Sequence, residues 1–349
     1  MNNETRKETQ VLPKDVRYVG ADDLTLPLFE NQYPVQPMGV SYNSYLILDE
    51  KIAVMDSVDA RAADEWLAKL AHELDGRSPD YLVISHMEPD HSGSILRLAE
   101  KYQEMKLVGN TKTFTMLRQF FGAKAPTDDR LLEVGEGETL PLGAHTLHFM
   151  LAPMVHWPEV MVAYEETEKL LFSADAFGRF GSLGRTANAP WAPQARRYYY
   201  NIVGKYGAQV QALLKKASAL EIKTVCPLHG PVLTGEALGE ALRLYDLWSR
   251  WQSESPDDIL LAHASIHGNT ARAAELFKQK LEAKGARVTL CDLTTTEVSY
   301  AVANAFYCGK LVLACSTYDG GLFPPMEEFL SHLQAKGLRS RTEGLMENG

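Results

Sequence analysis

Apolar and polar positions along this chain follow two rhythms, and the change between them falls near residue 253. Before it, short β-rich runs at 40–48, 52–56, 81–85 and 106–109 are separated by polar turns. Between these runs, 60–74 and 92–102 place apolar residues at helical spacing. A second set of strands is predicted at 146–153, 160–164, 169–173 and 224–228, with helices over 193–214 and 236–252. The small, polar, proline-containing stretch Ser253-Glu254-Ser255-Pro256-Asp257 reads as a linker. After it, 259–264, 287–291 and 310–315 are continuous apolar runs that alternate with helical patterns at 270–284 and 325–336. Strands apolar on both faces and spaced by helices imply a parallel sheet covered on both sides. The predicted organisation is an α/β domain over 1–252, a linker over 253–257 and a doubly wound domain over 258–349.

Composition narrows the function classes. The chain has 349 residues with 45% hydrophobic and 23% charged, which suits packed cores and excludes a disordered chain. Lys and Arg number 35 against 45 Asp and Glu, a net charge of −10, and no basic cluster is longer than a pair such as Arg196-Arg197. A nucleic-acid surface would need a basic footprint, so no nucleic-acid partner is expected. No apolar run is long enough to span a bilayer, and the first ten residues are polar throughout. The cysteines (Cys226, Cys291, Cys308, Cys315) show no CxxC spacing and read as thiols of a reducing compartment. A cytoplasmic protein with no membrane partner is the expectation.

Chemistry concentrates in Ser85-His86-Met87-Glu88-Pro89-Asp90-His91-Ser92, which follows a predicted strand. In an extended loop His86, Glu88 and Asp90 alternate and share one direction, and His91 turns in from the next position. Clustering such groups beside an apolar strand is costly without a metal ion. The spacing resembles the His-x-His-x-Asp-His pattern of the metallo-β-lactamase superfamily, with Glu88 in place of the second His. Added carboxylate favours harder ions such as iron over zinc. That replacement resembles the flavodiiron proteins, the A-type flavoproteins of the superfamily. The same family pattern is matched by Met154-Val155-His156-Trp157-Pro158, by Ser173-Ala174-Asp175-Ala176-Phe177-Gly178 and by Pro227-Leu228-His229-Gly230-Pro231. The resemblance implies one iron on His86, Glu88 and His156, a second on Asp90, His91 and His229, and Asp175 bridging them. No catalytic residue beyond these ligands is assigned. It also implies an N-terminal αββα metallo-β-lactamase-like sandwich.

The second domain carries two loops at predicted strand ends. Ser265-Ile266-His267-Gly268-Asn269-Thr270 resembles the flavodoxin phosphate loop, in which a helix N-terminus and hydroxyl side chains hold a phosphate. Ser316-Thr317-Tyr318-Asp319-Gly320-Gly321-Leu322-Phe323-Pro324 resembles the family loop that lies against the flavin ring, with Asp319 for the commoner Asn. The implied FMN site comprises Ser265, His267, Gly268, Asn269, Thr270, Ser316, Thr317, Tyr318, Asp319, Gly320 and Gly321, in a doubly wound, flavodoxin-like parallel sheet. The sequence ends after four predicted strands, where the family pattern continues. The expectation is therefore a C-terminally truncated flavodoxin-like domain with weakened FMN binding.

The resemblance implies an oxidoreductase that reduces O2 to water, NO to N2O, or both, at a non-heme diiron centre fed by FMN. It also implies rubredoxin or a related electron donor and a head-to-tail homodimer. Two rivals remain: a zinc hydrolase with a vestigial flavodoxin tail, against which Glu88 argues, and an electron carrier or gas sensor using only the flavodoxin half. His72, His145, His148 and His332 are not expected to bind metal; His145 and His148, three apart on a strand, face opposite sides. The run Arg196-Arg197-Tyr198-Tyr199-Tyr200 is expected to pack its tyrosines beside the metal residues rather than to stack on nucleic-acid bases.

Overall fold

The computed structural model describes residues 12–346. Two compact units emerge. One runs up to Ala195 and takes in Ala212–Leu242; the other joins Arg196–Gln211 to the chain from Arg243 onward.

In the first unit two six-stranded sheets stack. One has the order Val16–Tyr18, Tyr45–Ile47, Ala53–Met55, Tyr81–Val83, Lys106–Gly109, Leu131–Glu133. The other runs Thr139–Pro141, Thr146–Leu151, Met161–Glu165, Leu170–Phe172, Thr224–Cys226, Leu233–Thr234. Their inner faces share one core, with Tyr45, Ile47, Met55, Val83 and Val108 against Leu147, Phe149, Met161, Phe172 and Cys226. Amphipathic helices add outer layers: Ala63–Leu74 buries Trp66, Leu70 and Leu74 at spacings of a helical stripe. The architecture is the αββα sandwich. Strands ending at Met55, Val83 and Gly109 are parallel neighbours, as are those ending at Phe172 and Cys226. The loops after Val83, Phe172 and Cys226 carry His86 to His91, Asp175 and His229.

The apolar run 40–48 is two strands rather than one. Val40–Tyr42 pairs with Ala21–Asp23, and Tyr45–Ile47 pairs within the larger sheet. The break falls at Asn43 and Ser44, both fully buried polar residues whose side chains bond to other loops.

The second unit contains a four-stranded, fully parallel sheet ordered Val288–Asp292, Ser255–Ala264, Cys308–Cys315, Thr342–Met346. In chain order this is 2-1-3-4, the flavodoxin-like arrangement, with helices Asn269–Glu282, Val298–Tyr307 and Pro324–Ala335 as crossovers. Its central strand starts at Ser255, inside the predicted linker. Polar residues there read as loop, yet Ser255 pairs with Cys308 and an irregularity carries the strand across to Ile259.

The helix predicted over 193–214 is interrupted. Trp191–Tyr198 passes into a wide turn at Tyr199–Val203, then a tight one at Gly204–Tyr206, before Gly207–Ala217. Two of its tyrosines meet rings of the second unit. Tyr200 stacks on Phe306 with centroids 3.8 Å apart, and Tyr199 meets Tyr245 and Trp248 at 5.1 and 5.3 Å. An aromatic run signals burial but not which core receives it, and here the second unit does. Arg196 is paired with Glu254, and the buried Arg197 donates to Ser299 Oγ at 2.7 Å, so neither is free for phosphate.

Candidate metal centre

The loop after Val83 is tied down before it delivers any ligand-type side chain. Ser85 N donates to Asp56 Oδ1 at 2.7 Å, and a short helix, Pro89–Ser92, starts at Glu88. His86 and His91 are fully buried, and Asp90 is nearly so. The structure brings all seven sequence-predicted residues together in two adjoining groups. His86, Glu88, His156 and Asp175 form one, and Asp90, His91 and His229 the other; within each, the facing atoms all lie within 4.8 Å of one another.

Asp175 stands between the groups. Its Oδ2 lies 3.3 Å from His86 Nε2 and 3.2 Å from His156 Nε2. Its Oδ1 lies 3.3 Å from His91 Nε2 and 3.5 Å from His229 Nε2. Glu88 Oε2 meets His86 and His156 at 3.2 and 3.1 Å. Asp90 Oδ2 meets His91 and His229 at 3.3 and 3.2 Å.

Charges in this cluster are strongly coupled. Burial opposes a charged imidazole at His156, but the carboxylates of Asp175 and Glu88 outweigh it and lift the pKa to about 9. The same contest, with Glu159 and Glu88 as partners, carries His86 well above its ordinary value. Burial pushes the Asp175 carboxyl up, and the imidazoles, His91 foremost, more than reverse it. Glu30, in the turn between Leu28–Phe29 and Tyr33–Pro34, is an exposed residue whose carboxyl is nonetheless crowded. Desolvation and the charge of Glu88 push it up to about 8.

The donor set fits a pair of metal ions. Among the described residues, both oxygens of Asp175 and of Asp90 are buried without a hydrogen bond, and Asp175 Oδ1 and Oδ2 and Asp90 Oδ2 stand against imidazole nitrogens. His91 and His229 point their Nε2 atoms at each other, 3.0 Å apart. Four imidazoles and three carboxylates converging in this way are costly unless a cation sits among them.

Residues 40–230 match the family model described as ODP family beta lactamase. In its fold the chain is similar to the flavodiiron protein from Giardia intestinalis, with a TM-score of 0.89 and 27% identity over 96% of this chain and 82% of that one. The chain belongs to the flavodiiron proteins. Among related sequences it is 29% identical to the rubredoxin-oxygen oxidoreductase of Megalodesulfovibrio gigas, over 93% of this chain and 81% of that protein. It is 26% identical to the nitric oxide reductase of Moorella thermoacetica, over 94% and 82% respectively.

In this flavodiiron chain the two flavodoxin-type loops sit side by side at the carboxyl end of the parallel sheet. Gly268 takes φ +85° ahead of the helix Asn269–Glu282, whose first turn has no side-chain cap. Those N–H groups are the kind that receive a phosphate. Ser265 Oγ accepts from Gly268 N at 3.0 Å, and Thr270 Oγ1 and Ser316 Oγ are 3.0 Å apart, linking the loops. Thr317–Tyr318 and Gly321–Leu322 form a small hairpin around Asp319 and Gly320, with φ +47° and +74°. Two successive positive φ values are the tight hairpin turn that Asp-Gly favours. His267, Asn269, Thr317, Tyr318, Asp319, Gly320 and Gly321 are exposed, as a rim open to a ligand would be.

The other histidines stay outside the cluster. His145 is buried against Glu165 at 3.1 Å, His148 meets Glu166 at 2.8 Å, and His72 is exposed. Sequence reasoning missed Glu159, which accepts from His86 Nδ1 at 2.8 Å, and Ser41, whose carbonyl accepts from His229 Nδ1 at 2.7 Å. It also missed Asn43, whose amide donates to Pro227 O and Gly230 O on either side of His229. The available signals were single polar residues: Glu159 heading an apolar strand, and Asn43 inside one.

Proposed function

We propose that this chain reduces O2 to water, NO to N2O, or both, at two non-heme irons held in the first unit, with electrons relayed through FMN in the second. The carrying observation is Asp175, whose two oxygens face separate groups of imidazoles. In this reading His86, Glu88 and His156 hold one iron, and Asp90, His91 and His229 the other, with Asp175 shared. Irons bound there supply one-electron chemistry and open positions for a diatomic gas, and FMN supplies a reservoir of electrons. The protein's part is positional. Glu159 and the Ser41 carbonyl fix which nitrogen of His86 and of His229 faces the metal. In the metal-free cluster Glu30 can hold a proton at its carboxyl beside Glu88.

Ser265, His267, Gly268, Asn269 and Thr270 would take the flavin phosphate, and Ser316, Thr317, Tyr318, Asp319, Gly320 and Gly321 the ring. The functional division proposed is a metal domain over 1–252 and a flavin domain over 258–349, with the join at 253–257 running into the strand Ser255–Ala264. It is supported by the seven ligand-type residues all preceding the phosphate loop. The names of the two relatives support rubredoxin or a similar carrier as donor, and O2 and NO as substrates. A head-to-tail dimer and a cytoplasmic location complete the reading. Among the described residues, no helix is long and apolar enough to cross a membrane.

The test is anaerobic purification with iron available, counting of iron, zinc and flavin per chain, then measurement of O2 and NO consumption by the reduced protein. Iron with gas reduction is expected. Zinc with esterase or thioesterase activity would favour the hydrolase alternative, against which the carboxylate-rich donor set stands.

Proton competition gives a further expectation. In the metal-free protein the His156 imidazole is charged up to about pH 9, so a metal must displace its proton. Affinity for Co2+ or Zn2+ is therefore expected to rise as pH increases towards 9, by up to about tenfold per unit for each proton displaced. Calorimetry at pH 7 in buffers of different ionisation heat should register the released protons. The sign for stability is opposite. A raised histidine pKa stabilises the metal-free fold below its ordinary value of 6.5, and that contribution is lost as pH rises through 9.

A further inference from the structure

The two metal positions have the same number of imidazoles but different surroundings. Behind His86 stands Glu159, which is 1% exposed. Its Oε1 accepts from His86 Nδ1 at 2.8 Å and from Met87 N at 2.9 Å, while Oε2 is buried without a hydrogen bond. Its backbone carbonyl is held by Asn110 Nδ2 at 2.6 Å. Glu159 also belongs to the loop that presents His156, so one short segment supplies a ligand-type imidazole and a buried carboxylate to the same position. At the other position His229 Nδ1 donates to a neutral acceptor, the Ser41 carbonyl, at 2.7 Å. His91 Nδ1 is buried with no hydrogen-bond partner among the described residues.

We propose that Glu159 makes the two metal positions unequal, so that the position of His86, Glu88 and His156 binds its ion more tightly and fills first. A carboxylate accepting from the far nitrogen of an imidazole makes the near nitrogen a stronger donor and fixes the ring. It also adds a full negative charge in a site from which water is excluded, where charge is weakly screened. A backbone carbonyl fixes the ring with only a dipole, and His91 has neither. Glu159 is thus a positioning residue that acts through His86. The inference rests on the two-position reading proposed above and not on which gas is reduced.

The test titrates metal-free, full-length protein with Co2+ against a competing chelator, followed by the visible absorption of the bound ion. Two phases are expected. Glu159→Gln keeps an acceptor for His86 and removes the charge; it should weaken the tighter phase by about 10–100-fold and leave the weaker phase essentially unchanged. If Glu159 were merely structural, both phases would weaken together along with the unfolding temperature of the metal-free protein, and the proposal would fall. Two variants of the ligands locate the phases; His86→Ala also removes the imidazole that Glu159 accepts from. His86→Ala should abolish the tighter one, and His229→Ala the weaker one; the reverse pattern, or a single phase in the unaltered protein, would overturn the inference. A protein that bound Co2+ in the expected order but consumed neither gas would sink the proposed activity alone. Equal phases in a gas-reducing protein would sink only the role of Glu159.

Discussion

Asp175→Ala is expected to lose both metal ions together, taking the count per chain from two to none. Among the described residues, no other one faces both groups of imidazoles through separate oxygens, at 3.2 and 3.3 Å on one side and 3.3 and 3.5 Å on the other. Loss of an outer-shell partner costs about 10–100-fold in metal affinity, and a shared inner carboxylate should cost at least the upper end of that range at each position. The fold should survive. The turn around Asp175 is held by its neighbours, with Ser173 Oγ donating to Ala176 O at 2.7 Å and Gly178 N to the Asp175 carbonyl at 3.0 Å. His156→Ala removes an imidazole from one group only and should leave one ion bound. Metal counting on both variants, purified anaerobically with iron, separates the cases; two tightly held ions in Asp175→Ala would refute the shared placement.

The local part of this centre could be read from the chain because loop spacing is a local property. His86, Glu88, Asp90 and His91 fall within six residues after a strand, and the separate His156, Asp175 and His229 each sit in a short recognisable turn. The doubly wound half was equally legible, since strands apolar on both faces leave little choice but a covered parallel sheet. What lay hidden depends on distant contacts. Glu159 and Asn43 act on histidines far away in sequence, and nothing in their own neighbourhoods says which ring they face. Which rings Tyr199 and Tyr200 meet was hidden for the same reason. The wide turn at Tyr199–Val203 sets their directions, and hydrophobicity alone does not report it. The polar stretch at Ser255 to Asp258 looked like a linker because Pro256, Asp257 and Asp258 are largely solvent-facing or ion-paired, while backbone pairing makes it strand.

Replacing Asn43 by alanine should destabilise the protein and selectively loosen the His229 side of the centre. Asn43 is fully buried and every polar atom of its side chain is engaged. Its Nδ2 donates to Pro227 O at 2.8 Å and Gly230 O at 2.7 Å, and its Oδ1 accepts from Tyr18 OH at 3.1 Å. Its backbone N also donates to Leu228 O at 2.8 Å. Alanine preserves that last bond, and Pro227 O keeps a second donor in Tyr45 OH at 2.9 Å; the main cost is the donor lost to the buried Gly230 O, about 1–3 kcal/mol. Both carbonyls flank His229, so the turn that aims this imidazole is held less firmly, while the His86 and His156 loops keep all their bonds. Urea unfolding of the metal-free protein should therefore show the stability loss. A Co2+ titration should show one ion released more readily and the other unaffected. Equal weakening of both ions would mean that Asn43 supports the sandwich as a whole rather than the His229 turn.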